Sequence, residues 1–116
     1  MFDVSYYTLP NGRKPVKDFI DSLTPKMQVK AMASIEILEE FGNQLREPYS
    51  KPMGDGIFEL RNQFASDISR IFYFFFVGNR VILTNGFIKK TRKTPPGEIE
   101  IARAYKADYE RRAMYE

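Results

Sequence analysis

A chain of 116 residues that is 43% hydrophobic and 15% aromatic carries enough apolar material for one compact domain over 1–116, which excludes a disordered chain. It has no cysteine and no histidine, so a disulfide framework is excluded and a structural zinc site lacks its usual ligands; no metal and no cofactor is expected. No apolar run approaches membrane-spanning length, and the opening MFDVSYYTLPNGRK lacks a signal peptide's apolar core, so a soluble, cytoplasmic protein without membrane contact is expected.

The net charge of +3 is mild but unevenly placed. Residues 1–45 hold five Lys/Arg and six Asp/Glu, residues 46–93 nine and four, and residues 94–116 four and five. The surplus sits in the middle segment, at +5. A localised basic surface points to a polyanionic partner, against the plainer reading of a solvated basic face.

In chain order, Phe2-Asp3-Val4-Ser5-Tyr6 alternates as a short strand does, and Pro10-Asn11-Gly12 marks a turn. Pro15 suits the first position of a helix whose Val16, Phe19, Ile20 and Leu23 share one face. Thr24-Pro25 reads as an N-cap and first position of a second helix, with Met27, Ala31, Ile35, Leu38 and Phe41 inward and a stop at Gly42-Asn43. Pro48 to Gly56 reads as irregular. Residues 57–61 alternate as a strand with Phe58 and Leu60 toward the core, and 69–77 has the apolar density of a central strand. Gly78-Asn79 predicts a two-residue hairpin turn into a strand ending near 89. Thr94-Pro95-Pro96 opens a last helix with Ile101, Ala102, Tyr105 and Tyr109 as its stripe. The expected fold is α+β, in the order β-α-α-β-β-β-α, with a twisted, mainly antiparallel sheet and the first two helices packed on one face.

A two-residue turn pairs Val77 with Arg80, Phe76 with Val81, Phe74 with Leu83, Phe72 with Asn85 and Arg70 with Phe87. Alternation then places Arg70, Asn85, Phe87 and Lys89 on one face. Arg61 joins them in one register of the preceding hairpin and lies opposite in the other, because a one-residue slip inverts a strand's faces. Arg61, Arg70, Lys89, Lys90 and Lys93 would thus converge on one groove with Phe87 at its floor. Such a groove suits RNA: cations hold phosphates and rings stack on unpaired bases. Each residue also has a plainer role, with Arg61 paired to Glu59 or Asp67, Phe87 in the core, and Lys89-Lys90 a solubility feature.

Phe58-Glu59-Leu60-Arg61, Ser69-Arg70-Ile71-Phe72-Tyr73-Phe74 and the run from Asn85 to Pro95 (Gly-Phe-Ile-Lys-Lys-Thr-Arg-Lys-Thr-Pro after the asparagine) resemble the phage-derived, HigB-like branch of the RelE/ParE toxin superfamily. The resemblance covers nearly the whole chain in element order. It implies a RelE-like fold and the toxin of a type II toxin–antitoxin pair: a ribosome-dependent endoribonuclease that cuts mRNA and inhibits translation. It also implies neutralisation by a helix-turn-helix antitoxin.

Cleavage of this kind has the 2′-hydroxyl attack the adjacent phosphate. It needs a base for the hydroxyl, cations for the developing charge and an acid for the leaving 5′-oxygen. Arginine stays protonated and cannot be the base, whereas a lysine crowded by cations can. Arg61 and Arg70 are therefore expected on the scissile phosphate, Lys89 or Lys93 as the proton-transfer group, and Lys90, Phe87 and Arg92 as RNA contacts. Tyr73 lies on the wrong face by parity. The absence of histidine departs from several HigB relatives, and positioning by the ribosome would have to supply part of the rate. Two other readings stand beside this one: a ParE-like toxin acting on DNA gyrase, and a non-catalytic basic RNA-binding protein. The antitoxin is expected on the helical side, through faces such as Tyr105 and Tyr109, with masking of the groove as the alternative.

Overall fold

Proline at the first position of a helix costs nothing, because its fixed φ is already helical and its missing N–H would be unpaired there. Helix α1 accordingly starts at Pro15 and spans Pro15–Ser22, in a computed structural model that describes residues 1–115. It buries Val16 and Ile20. Thr24 caps helix α2 (Pro25–Phe41), its side chain accepting a bond from the Met27 N–H at 3.4 Å. Met27, Ala31, Ile35 and Leu38 face inward as the 3.6-residue period requires. Phe41, expected as the next member of that stripe, is exposed. The Phe2 ring packs over Gly42 and fills the end of the stripe in its place.

The sheet has five strands: β1 (Asp3–Tyr6), β2 (Ser50–Gly54), β3 (Ile57–Phe64), β4 (Asp67–Phe76) and β5 (Arg80–Ile88). Their spatial order is β1-β5-β4-β3-β2, antiparallel except for the parallel pair β1–β5. Helix α3 (Pro96–Ala113) closes the chain. The fold is thus a small α+β domain with three helices, and among the described residues no helix is long and apolar enough to cross a membrane.

Strand β2 lies in the segment expected to be irregular. Pro52 and Gly54 hide it, and both are tolerated because β2 is an edge strand with an irregular register between them. Ser50 hydrogen-bonds the Tyr73 hydroxyl, so a core tyrosine is satisfied by the strand that the sequence conceals.

The central sheet is buried on both faces. Helices α1 and α2 cover Leu60, Ile71, Tyr73, Val81 and Leu83, as expected of the first two helices. Helix α3 covers the other face, over Ile57, Phe72 and Phe87 at one end and Tyr7, Phe74 and Ile82 at the other. Tyr105 stacks on Tyr7 at 4.5 Å, and Tyr109 meets Phe74 and Phe76 edge-on. These two tyrosines therefore bind α3 to its own sheet and are half-buried. Ile101, expected in the inward stripe, is exposed; Ile99 packs inward with Ala102 instead, because the helical spacing that turns Ala102, Tyr105 and Tyr109 to the sheet places 99, not 101, on that face.

The β4–β5 hairpin departs from the expected pairing and then returns to it. Phe76 pairs with Arg80, not Val81, and Phe74 with Ile82, not Leu83. The connecting loop is therefore Val77-Gly78-Asn79, with Gly78 at φ +76°, a conformation that costs glycine nothing. A bulge between Ile71 and Tyr73 sets Thr84 and Asn85 opposite Phe72 and absorbs the offset. Beyond it Arg70 pairs with Phe87 and Ser69 with Ile88, the register that a two-residue turn would have given.

Candidate active site

Gly86 and Phe87 show how the sheet prepares the site. Gly86 lies opposite Ile71 on the face beneath α1, and the Phe19 ring of α1 occupies the space that a β-carbon at 86 would need. Phe87 points to the other face and packs on Phe72, with ring centroids 5.5 Å apart. It is 7% exposed. The ring supports the groove from below and is too enclosed to stack on a base, so the structure places it in the core and not as a platform.

Arg61 and Arg70 are Cα partners across β3 and β4, which settles the register in favour of a shared face. Glu59, two residues before Arg61 on that face, lies between the two guanidinium groups. Its Oε1 is 3.3 Å from Arg61 Nε and 3.2 Å from Arg70 Nε, while Oε2 accepts a 2.7 Å hydrogen bond from the Thr94 hydroxyl. The Glu59 side chain is 1% exposed, that of Arg70 10% and that of Arg61 26%. Arg61 thus does pair with Glu59, as the plainer reading allowed, and still reaches the groove. Arg70 also donates from Nη1 to the Ser69 carbonyl at 3.0 Å.

Lys89 continues the ladder beyond β5, its N–H bonded to the Ile68 carbonyl at 2.9 Å. This keeps its side chain on the face of Arg70. Partial burial, followed by the charges of Arg70, Arg61 and Lys51, holds the Lys89 ammonium below the usual lysine range, and Glu59 opposes that shift. Burial likewise lowers Arg70 from its ordinary value, an effect that Glu59 opposes.

Two adjoining clefts meet along Lys89 and Arg92. A cleft of about 250 Å³ is lined by Lys51, Glu59, Arg61, Lys89, Arg92 and Lys93, with Met53, Thr94 and Ile99. The other, about 610 Å³, is lined by Arg70, Lys89, Lys90 and Arg92 together with Ser66, Asp67, Ile68, Ile88 and Thr91. All the expected basic residues therefore line one continuous surface, and Phe87 lies beneath it. Lys51 and Glu59 were missed by the sequence reading. Lys51 lay in the unrecognised β2, where it pairs with Glu59. Glu59 alternates with Phe58 and Leu60 and so falls on the outward side of a strand read as one-faced; only the covering of both faces of β3 buries it.

Asn85, expected on the groove face, is occupied elsewhere. Its amide donates to the Glu98 carbonyl oxygen at 3.1 Å and to the Glu98 carboxylate at 3.3 Å. It thereby ties the bulge to the first turn of α3. Tyr73 is buried on the far face with Ser50 and takes no part in the site.

No curated protein matches the chain. The family described as "Phage derived protein Gp49-like (DUF891)" matches residues 18–107, a span that runs from α1 through the basic clefts and most of α3. The chain belongs to the Gp49-like phage-derived family, part of the RelE/ParE-like toxin superfamily of toxin–antitoxin systems, and so has an antitoxin as its implied partner.

Proposed function

We propose that this protein is a HigB-like, ribosome-dependent mRNA endoribonuclease that works in the cytoplasm and stops translation. The observation that carries the proposal is the meeting of Arg61, Arg70 and Lys89 on one sheet face at the mouth of a basic cleft. Arg61 and Arg70 bind the scissile phosphate and the charge that develops on it. Lys89, whose ammonium is already destabilised, removes the 2′-hydroxyl proton as that oxygen attacks phosphorus. The P–O5′ bond breaks, leaving a 2′,3′-cyclic phosphate, and the Lys93 side chain donates the proton to the departing 5′-oxygen. Lys90 and Arg92 hold the flanking phosphates. The sequence contains no histidine, so the ribosome's positioning of the mRNA supplies a large share of the rate.

The helix-turn-helix antitoxin docks on the helical side. With Tyr105 and Tyr109 packed on the sheet, the exposed apolar side chains that the helices offer it include Val29, Met32 and Phe41 on α2 and Ile101 on α3. Affinity for the antitoxin should then fall only slightly with added salt; a steep fall would place the antitoxin on the basic groove.

The experiment adds purified protein to translating ribosomes and follows mRNA, with Lys89→Ala as the control. New mRNA ends with wild type and none with the variant support the reading. Altered plasmid supercoiling without new ends would favour a gyrase poison, and RNA binding without cleavage a non-catalytic binder.

A further inference from the structure

A side chain that is 1% exposed, carries a full negative charge and lies inside a cluster built to hold a polyanion calls for a physical account. Burying a carboxylate is costly unless it is paired and hydrogen-bonded. Glu59 meets that condition through three partners drawn from three parts of the chain: Arg61 on its own strand, Arg70 on the neighbouring strand, and Thr94 in the segment that leads into α3.

We infer that Glu59 is the positioning residue of this site: one carboxylate oxygen sets the two arginines beside each other, and the other anchors, through Thr94, the segment that carries Lys89 to Lys93. The catalytic half of this inference rests on the nuclease reading; the structural half does not. Glu59 does not touch substrate, because a group 1% exposed is out of reach of a 2′-hydroxyl. Its action is exerted through other residues in two ways. Arg61 and Arg70 are like charges directly opposed across a strand pair, an arrangement that disfavours itself. A shared anion between them keeps both side chains in place before RNA arrives, so their ordering is not paid for on binding. Second, residues 90–93 form no regular structure, and Lys90, Arg92 and Lys93 are exposed. The Thr94–Glu59 bond at 2.7 Å ties the far end of that segment to β3, while the Lys89–Ile68 bond at 2.9 Å ties the near end to β4. The lysines are held as a short span between two fixed points.

The groups facing Lys89 are Arg70 and Asp67 from β4, Glu59 and Arg61 from β3, Lys51 from β2, and Lys90, Arg92 and Lys93 from its own segment. Among them Glu59 opposes the depression of the Lys89 ammonium. Removing its charge should therefore push the Lys89 midpoint further down.

The test uses the isolated full chain, labelled for NMR, and needs no ribosome. In Glu59→Gln, the Lys89 side-chain titration should move about half a pH unit or more below wild type. In Thr94→Val, which leaves every charge in place, amide exchange of residues 90–93 should quicken about fivefold, and Thr94→Ser should restore it. On ribosomes, Thr94→Val should lower kcat with KM nearly unchanged. An unmoved Lys89 midpoint in a folded Glu59→Gln protein, or unaltered exchange in Thr94→Val, overturns the inference; if Glu59→Gln does not fold, the exchange experiment decides. A wild-type protein that is inert on ribosomes removes the nuclease reading and leaves the titration and exchange results standing.

Discussion

Arg61 and Arg70 face each other as direct partners across β3 and β4, with Glu59 Oε1 within 3.3 Å of both. The two arginines differ in burial, and this separates their expected behaviour. Arg70→Ala leaves the enclosed Glu59 without one of its counter-charges and should cost about 3 kcal/mol, the magnitude of breaking a buried pair. Arg61→Ala, at a more exposed side chain, should cost no more than about 1 kcal/mol. Both should abolish toxicity. Denaturant unfolding of the two variants checks this, and equal stabilities would show that Glu59 does not depend on Arg70. Arg70 lies within β4, paired on both sides, and its side chain is enclosed.

Lys89→Ala should relieve growth arrest while stability stays within about 0.5 kcal/mol of wild type, because the residue is half-buried in a crowd of like charge. If its neutral form is the base, the cleavage rate should rise with pH and level off below 10.5, since the folded-state value is lowered from there. Rate profiles of the wild type decide this, and a rate that falls as pH rises from neutrality would exclude a lysine base.

Gly86→Ala should destabilise the fold by about 1–3 kcal/mol, because its β-carbon meets the Phe19 ring of α1. The double variant with Phe19→Ala should recover part of that loss, as coupled neighbours do. Simple additivity of the two losses in thermal unfolding would mean that the close approach of α1 is not what requires glycine.

Tyr7 donates a 2.6 Å hydrogen bond to Asp108. Burial and that carboxylate push its hydroxyl up from 10.0 to about 12. Because the folded-state value lies above the unfolded one, the stabilisation is complete below pH 10 and is lost as pH rises toward about 12. Wild-type stability should decline across that window more steeply than that of Tyr7→Phe. Parallel slopes would contradict the assignment.

The sequence made legible whatever depended on period and on local punctuation. Thr24-Pro25 and the α2 stripe through Leu38 are local signals, and so is the parity that unites Arg70, Phe87 and Lys89. What escaped it depended on distant parts of the chain. Strand β2 exists because β3 offers an edge that its proline tolerates. The hairpin register was right at Arg70 and Phe87 for a reason that the turn did not contain, since a three-residue loop and a bulge cancel. Glu59 looked like a surface partner for Arg61, and only the fold of Thr94 and Arg70 around it encloses it.

The most direct measurement of the central claim maps mRNA ends in a translating extract given purified wild-type protein, Lys89→Ala or buffer. The account predicts new ends inside codons with wild type alone, dependent on ribosomes, each upstream fragment bearing a 2′,3′-cyclic phosphate. Intact mRNA with the wild type, under conditions in which the same preparation arrests growth, would contradict it.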